Sequence, residues 1–262
     1  MVNFKMKLSL VSLGSVLFLG VAQAGIVGSM HDLSTTNPNV ATPVPGGTAE
    51  ICVFCHTPHG TDTTAPAPLW NKILPTAASF STYDALGTAT LDGQIDLNEG
   101  GISLACLSCH DGTTALDLVL NAPTVTQGTY RYDAAGTNLG GGITMASFAT
   151  SPVPVLGKDL KNDHPVGVQY AGGGLTWAPI TGANTVATGA NDKLFNEPIW
   201  DNNRLWIGAI GDAGLPLYGN SASTFGPTVE CASCHNPHKT DYGSFLRMSN
   251  AGSGLCLACH IK

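Results

Sequence analysis

Charge is scarce in this chain. Of its 262 residues 11% are charged, and Lys and Arg together number 11. A nucleic-acid binder needs a basic face, so that class is excluded. Past residue 24 no apolar run is long enough to span a bilayer. Asp92, Asp96 and Glu99 lie close together but do not follow the pattern of a calcium loop. Cysteine is also missing from everywhere except four pairs of identical spacing, which use all eight copies. A disulfide framework would not need that regularity, nor a histidine after every second cysteine. A zinc half-site shares Cys-x-x-Cys but does not need the adjoining histidine.

What is present is one motif, four times over: Cys52-Val-Phe-Cys55-His56, Cys106-Leu-Ser-Cys109-His110, Cys231-Ala-Ser-Cys234-His235 and Cys256-Leu-Ala-Cys259-His260. This is the attachment motif of c-type haem. The eight cysteines bond the porphyrin vinyl groups, and His56, His110, His235 and His260 each reach one face of an iron. Four covalently bound haem c groups are expected.

The chain has eight histidines. Outside the motifs stand His31, His59, His164 and His238, and four irons need four sixth ligands. His59 and His238 follow a motif histidine by three positions, in Cys-x-x-Cys-His-x-Pro-His. Three residues are too few to wrap a porphyrin edge, so each is expected to serve a different haem from its neighbour. Pro165 stiffens the backbone after His164. An iron bond at His31 would tie down a terminus. Met30, Met145 and Met248 are the rival sixth ligands, although a lone Met is more often packing. With two histidines on every iron no coordination position is open, which points to electron transfer rather than catalysis. Cys-x-x-Cys-Lys, a mark of some multihaem reductases, is absent. Trp70, Trp177, Trp200 and Trp206 read as packing residues rather than electron relays.

Residues 1–24 read as a signal peptide: Lys5 and Lys7, an apolar stretch from Leu8 to Val21, then Ala22-Gln-Ala24. Export is expected, since haem is joined to this motif outside the cytoplasm. Without Lys5 and Lys7, nine basic residues face 18 acidic ones, a formal −9. Residues 25–262 are expected to form one domain. Two-haem units at 52–110 and 231–260 are joined by a long Gly/Thr-rich segment, 111–230. Alternating runs at Val166–Tyr170 and Leu205–Ile210 predict short strands, and Ser103–Cys109 predicts a helical turn. The fold class is a loop-rich multihaem cytochrome c, with short helices and a few short strands around a chain of four haems. The haems are expected to supply most of the apolar core.

The sequence resembles the tetrahaem outer-surface c-type cytochromes of metal-reducing bacteria that polymerise into extracellular nanowires. The resembling pieces are Met30-His-Asp-Leu33, Cys52–His59, Pro68-Leu-Trp-Asn71, Cys106–Gly112, Asn162-Asp-His-Pro-Val-Gly167, Cys231–His238 and Leu255–His260. The resemblance implies bis-histidine irons along a continuous haem chain. It also implies a filament in which one iron takes a histidine from the next copy, with His31 and His59 as the candidates. Its partners would be other copies of itself, upstream periplasmic or outer-membrane cytochromes and an extracellular electron acceptor. The expected location is the cell surface, with the periplasm as the alternative. The rival readings are a monomeric periplasmic electron shuttle and a multihaem reductase.

Overall fold

The computed structural model describes residues 25–34, 36–37, 48–87, 93–116, 118–121, 144–145, 154–163, 166–175, 185–186, 192–201, 204–219 and 226–262. Residues 1–24, Asp92, His164 and Trp177 lie outside them. Turns and loops dominate, as 32 Gly and 16 Pro in 262 residues dictate.

The first helices stand back to back. Helix α1 (Leu97–Gly100) is capped by Asp96, whose carboxylate accepts from the Asn98 N–H at 2.8 Å. Gly101, at φ 64°, ends α1 and starts α2 (Ile102–His110). A side chain at that junction would be strained. Helix α2 carries the whole second attachment motif in its last five residues. Its Leu104 and Leu107 pack with Phe80, Leu97, Leu160 and Val166, and Cys231 lies against this cluster.

Six short strands follow among the described residues. They are β1 (Val168–Gln169), β2 (Thr185–Val186), β3 (Ile199–Trp200), β4 (Leu205–Ile207), β5 (Leu215–Pro216) and β6 (Thr228–Val229). β2, β3, β4 and β5 form an antiparallel sheet in sequence order, with Thr185 opposite Trp200 and Trp206 opposite Pro216. β1 pairs with β6, Val168 opposite Val229. The alternation around Leu205 stops at Ile207 because Gly208 takes φ 80° and turns the chain.

Helices α3 (Cys231–Cys234) and α4 (Gly254–Cys259) carry the third and fourth motifs. Leu205, Ile207, Leu215 and Leu217 from the sheet join Tyr170 and Ala171 in a second core, with Leu255, Ala258 and Cys259 packed on it. The Tyr170 hydroxyl donates to the Asn196 carbonyl at 2.7 Å, tying that core to the segment beside α4. Both apolar clusters therefore end on cysteines of attachment motifs. Among the described residues no helix is long and apolar enough to cross a membrane.

Candidate cofactor-binding site

Three of the four motifs are braced by the same short backbone pairing. Beside the first, Asn71 N–H donates to the Cys55 carbonyl at 2.9 Å and Thr57 N–H to the Leu69 carbonyl at 2.9 Å. Beside the third, Arg247 donates to Cys234 at 2.9 Å and Asn236 to Phe245 at 2.8 Å. Beside the fourth, Asn196 donates to Cys259 at 2.8 Å and Ile261 to Leu194 at 2.7 Å. The motif histidine thus faces Trp70, Leu246 or Phe195 across an isolated bridge. The second motif has a looser brace, Leu156 N–H to the His110 carbonyl at 2.9 Å. Leu69 and Phe245 occupy the same brace position at φ 54° and φ 56°. Such left-handed backbone is disfavoured for non-glycine residues and persists where surrounding contacts fix it.

The braces also orient the rings. Nδ1 of His56 meets the Pro68 carbonyl at 2.7 Å, His110 meets Pro154 at 2.9 Å and His235 meets Ser244 at 2.7 Å. A carbonyl only accepts, so Nδ1 carries the proton and Nε2 keeps its lone pair for a metal. A backbone carbonyl on the second nitrogen is the usual support of a ligating histidine.

Two free histidines are brought to two motif histidines. The ring centres of His31 and His110 lie 6.1 Å apart at 84°, and those of His56 and His238 lie 6.1 Å apart at 25°. An imidazole nitrogen binds a metal at about 2 Å and lies about 1 Å from its ring centre, so trans imidazoles on one metal sit about 6 Å apart. Burial, then His110, His238 and His235, lower the pKa of His31 to about 4. Burial and then His56 lower that of His238. Both are therefore held in the neutral form that a metal requires. Phe245 stacks on His31 at 4.2 Å, and an open cleft of about 830 Å³ lies beside His238. His59 is exposed, and among the described residues it meets no other ring. His164 lies outside the described residues.

The thiols form a connected series. All eight are unpaired by disulfides. Cys55 is pushed up to about 12 by burial, then by Cys109, with Lys72 opposing. The neighbouring Cys231 thiol and then burial raise Cys106. Burial raises Cys234 to about 11, with Cys231 and Cys256 adding, and Cys259 to about 12, with Cys234 and Cys256 adding. The first motif therefore neighbours the second, the second the third, and the third the fourth. One buried carboxyl lies at the middle junction. Glu230 accepts from the Thr228 hydroxyl at 2.8 Å and from the Ser103 hydroxyl, and its backbone N–H donates to Ser233 Oγ at 3.0 Å. Burial raises its pKa to about 8 against those two hydroxyls.

The surroundings fit a large apolar cofactor. Leu69 and Val155 each follow the proline whose carbonyl meets a motif histidine, and Leu194 takes the Ile261 N–H beside the fourth motif; they are 52%, 43% and 64% exposed. Leu257, inside the fourth motif, is 41% exposed. Apolar side chains fixed beside every one of these motifs are what a porphyrin would cover. Reading from residue types alone misses these brace residues. The Pro-Leu-Trp-Asn and Pro-Val-Leu segments were the available signal. Among the described residues no three His, Cys, Asp or Glu converge as around a bare metal ion. Met145 is buried and Met248 packs on the second core, while Met30 is exposed. Trp70 packs with Ala67 and Ala105, its ring 6.0 Å from His56.

Residues 227–262 match the family described as the doubled CXXCH motif. No curated protein is detectably similar to the chain. The matched segment holds the third and fourth motifs, each of the form that joins haem covalently. The match supports a multihaem c-type cytochrome, with covalently bound haem c and a part in electron transfer.

Proposed function

We propose that this is an exported tetrahaem c-type cytochrome whose copies join at the cell surface into an extracellular filament. The filament passes respiratory electrons to an acceptor outside the cell. The observation that carries the reading is the pair of 6.1 Å ring-centre spacings, His31 with His110 and His56 with His238. Haem c supplies reversible one-electron exchange at iron when bound.

The chain holds, orients and closes. Cys52, Cys55, Cys106, Cys109, Cys231, Cys234, Cys256 and Cys259 anchor the rings. His56, His110, His235 and His260 would each hold one iron, the first three through Nε2 because Nδ1 meets a carbonyl. His31 would serve the iron of His110, and His238 that of His56. His164 and His59 remain for the irons of His235 and His260. His59 is exposed and borne on the same motif as His238, which supports a reach to a neighbouring copy. With His31 turned to His110, His59 is the crossing ligand. Two histidines on every iron leave no position for a substrate. Upstream periplasmic or outer-membrane cytochromes would supply the electrons.

Intact mass and electron microscopy of the full chain, matured in an exporting host, test this. Four haems, low-spin spectra throughout and thin filaments are expected. The ring angles of 25° and 84° should give two distinguishable ferric EPR signals. Particles alone, with four low-spin haems, replace the filament by the periplasmic shuttle. A haem that rapidly binds carbon monoxide replaces it by a reductase.

A further inference from the structure

The corner that braces the third motif is built from unusual residues. Leu246 N–H donates to the Gly243 carbonyl at 2.9 Å, and the two residues between them, Ser244 and Phe245, take φ 43° and φ 56°. A turn with positive φ at both centres favours Gly, Asn and Asp. A bulky residue there is strained and persists where its surroundings over-determine it. Both residues of this corner are engaged. The Ser244 carbonyl accepts from Nδ1 of His235 at 2.7 Å. The Phe245 ring stacks on His31, with centres 4.2 Å apart and planes 28° apart. One residue of the corner thus touches the histidine of the third motif. The next touches the free histidine beside His110.

The backbone of His31 is fixed from within its own segment. The buried Asp32 carboxylate accepts from Gly28 N–H at 2.8 Å and from Ser34 N–H at 3.1 Å. The Asn37 amide donates to the carbonyls of Ser29 at 2.8 Å and Asp32 at 2.7 Å. These bonds place the Cα of His31. They leave its two side-chain torsions to packing, and the outer torsion of a histidine is broad. A flat ring stacked on the imidazole opposes rotation about that torsion. Beside the first motif, Leu69 occupies the same brace position at φ 54°. Leucine therefore fits such a corner as backbone but has no flat face to offer. The phenyl ring of Phe245 is additional to the brace.

We propose that Phe245 is a positioning residue for the iron at His110: its ring holds the His31 imidazole nearly perpendicular to that of His110. One two-residue corner thereby supports ligands of two irons, those of the second and third motifs. This rests on the reading of His31 as a sixth ligand. The geometry at stake is the 84° between the two rings. The angle between two axial imidazoles sets the splitting of the iron d orbitals, so the ferric EPR spectrum reads it.

The test is ferric EPR of the haem-loaded full chain, with visible spectra beside it. His31→Ala identifies the signal, since the haem at His110 should lose its low-spin spectrum. Phe245→Leu keeps the brace and removes the flat face. The identified signal should shift or broaden as His31 turns, while that of the near-parallel pair, His56 with His238, stays in place. Phe245→Tyr should keep the wild-type signal. An unmoved signal in Phe245→Leu, an equal change in all four haems, or a signal displaced as far in Phe245→Tyr overturns the proposal. Phe245→Gly is the second variant, because glycine accepts φ 56° without strain. If Phe245→Leu does not accumulate, Phe245→Gly decides on the same terms. If every haem stays low-spin in His31→Ala, the ligand reading falls and this proposal with it, whatever the Phe245 variants do.

Discussion

The units beginning at Cys52 and Cys231 share a backbone and differ in what surrounds it. Both read Cys-x-x-Cys-His-x-Pro-His, both close on a three-residue brace, and both strain the same brace position. Yet His238 sits against His56 of the other unit, while His59 stays exposed. Glu230 precedes Cys231 where Ile51 precedes Cys52, and Phe245 stands where the first unit has Leu69. The comparison teaches that the shared motif fixes a ring and a histidine three residues on. The neighbours decide where that histidine goes and what the brace carries.

Exchanging the outer histidines breaks the comparison hardest. His238→Ala should turn the iron of His56 high-spin in every copy, assembled or not. His59→Ala should abolish end-to-end assembly and leave one iron per copy without its sixth ligand, while the iron of His56 stays low-spin. Visible spectra and electron microscopy read the two effects, and equal behaviour of the two variants would refute the division of labour.

The braces should differ in stability. Asn71 is fully buried; it donates to the Val53 carbonyl at 2.7 Å and the Asn121 carbonyl at 3.0 Å, and accepts from Asn121 N–H at 2.9 Å. Asn71→Ala strands all three and should cost about 2–4 kcal/mol in denaturant unfolding. Arg247→Ala removes one 2.8 Å bond from Nε to the Ala232 carbonyl at a half-buried position and should cost about 1 kcal/mol.

A further effect separates the units by pH. The folded-state pKa of Glu230 is raised by burial from 4.5 to about 8. Folding then retains a proton that the unfolded chain releases. The stabilisation is complete below about pH 4.5 and is lost as pH rises through about 8. Glu230→Gln should flatten that part of the stability profile. An unchanged slope would mean that another group carries it.

Much of the site was legible because haem attachment is covalent and local. Five residues suffice for each motif, and no fold is needed to read them. The helical turn expected over Ser103–Cys109 lies within the helix Ile102–His110, whose Leu104 and Leu107 are buried. The pairing of His31 with His110 was not legible. It depends on how a loop near one end of the chain packs on Phe245 near the other. The braces were hidden for a different reason. They act through backbone groups that every residue has, so Leu69, Phe245 and Leu194 need no common identity.

The brace has one consequence for change by insertion. His56 takes its carbonyl from 12 residues on, His110 from 44 and His235 from 9, while His260 is braced by a segment upstream of it. Contour length between motif and brace is therefore a free variable. Loops can be lengthened, shortened or redecorated there without moving a motif histidine, so the outer surface can diversify while each attachment motif keeps its support.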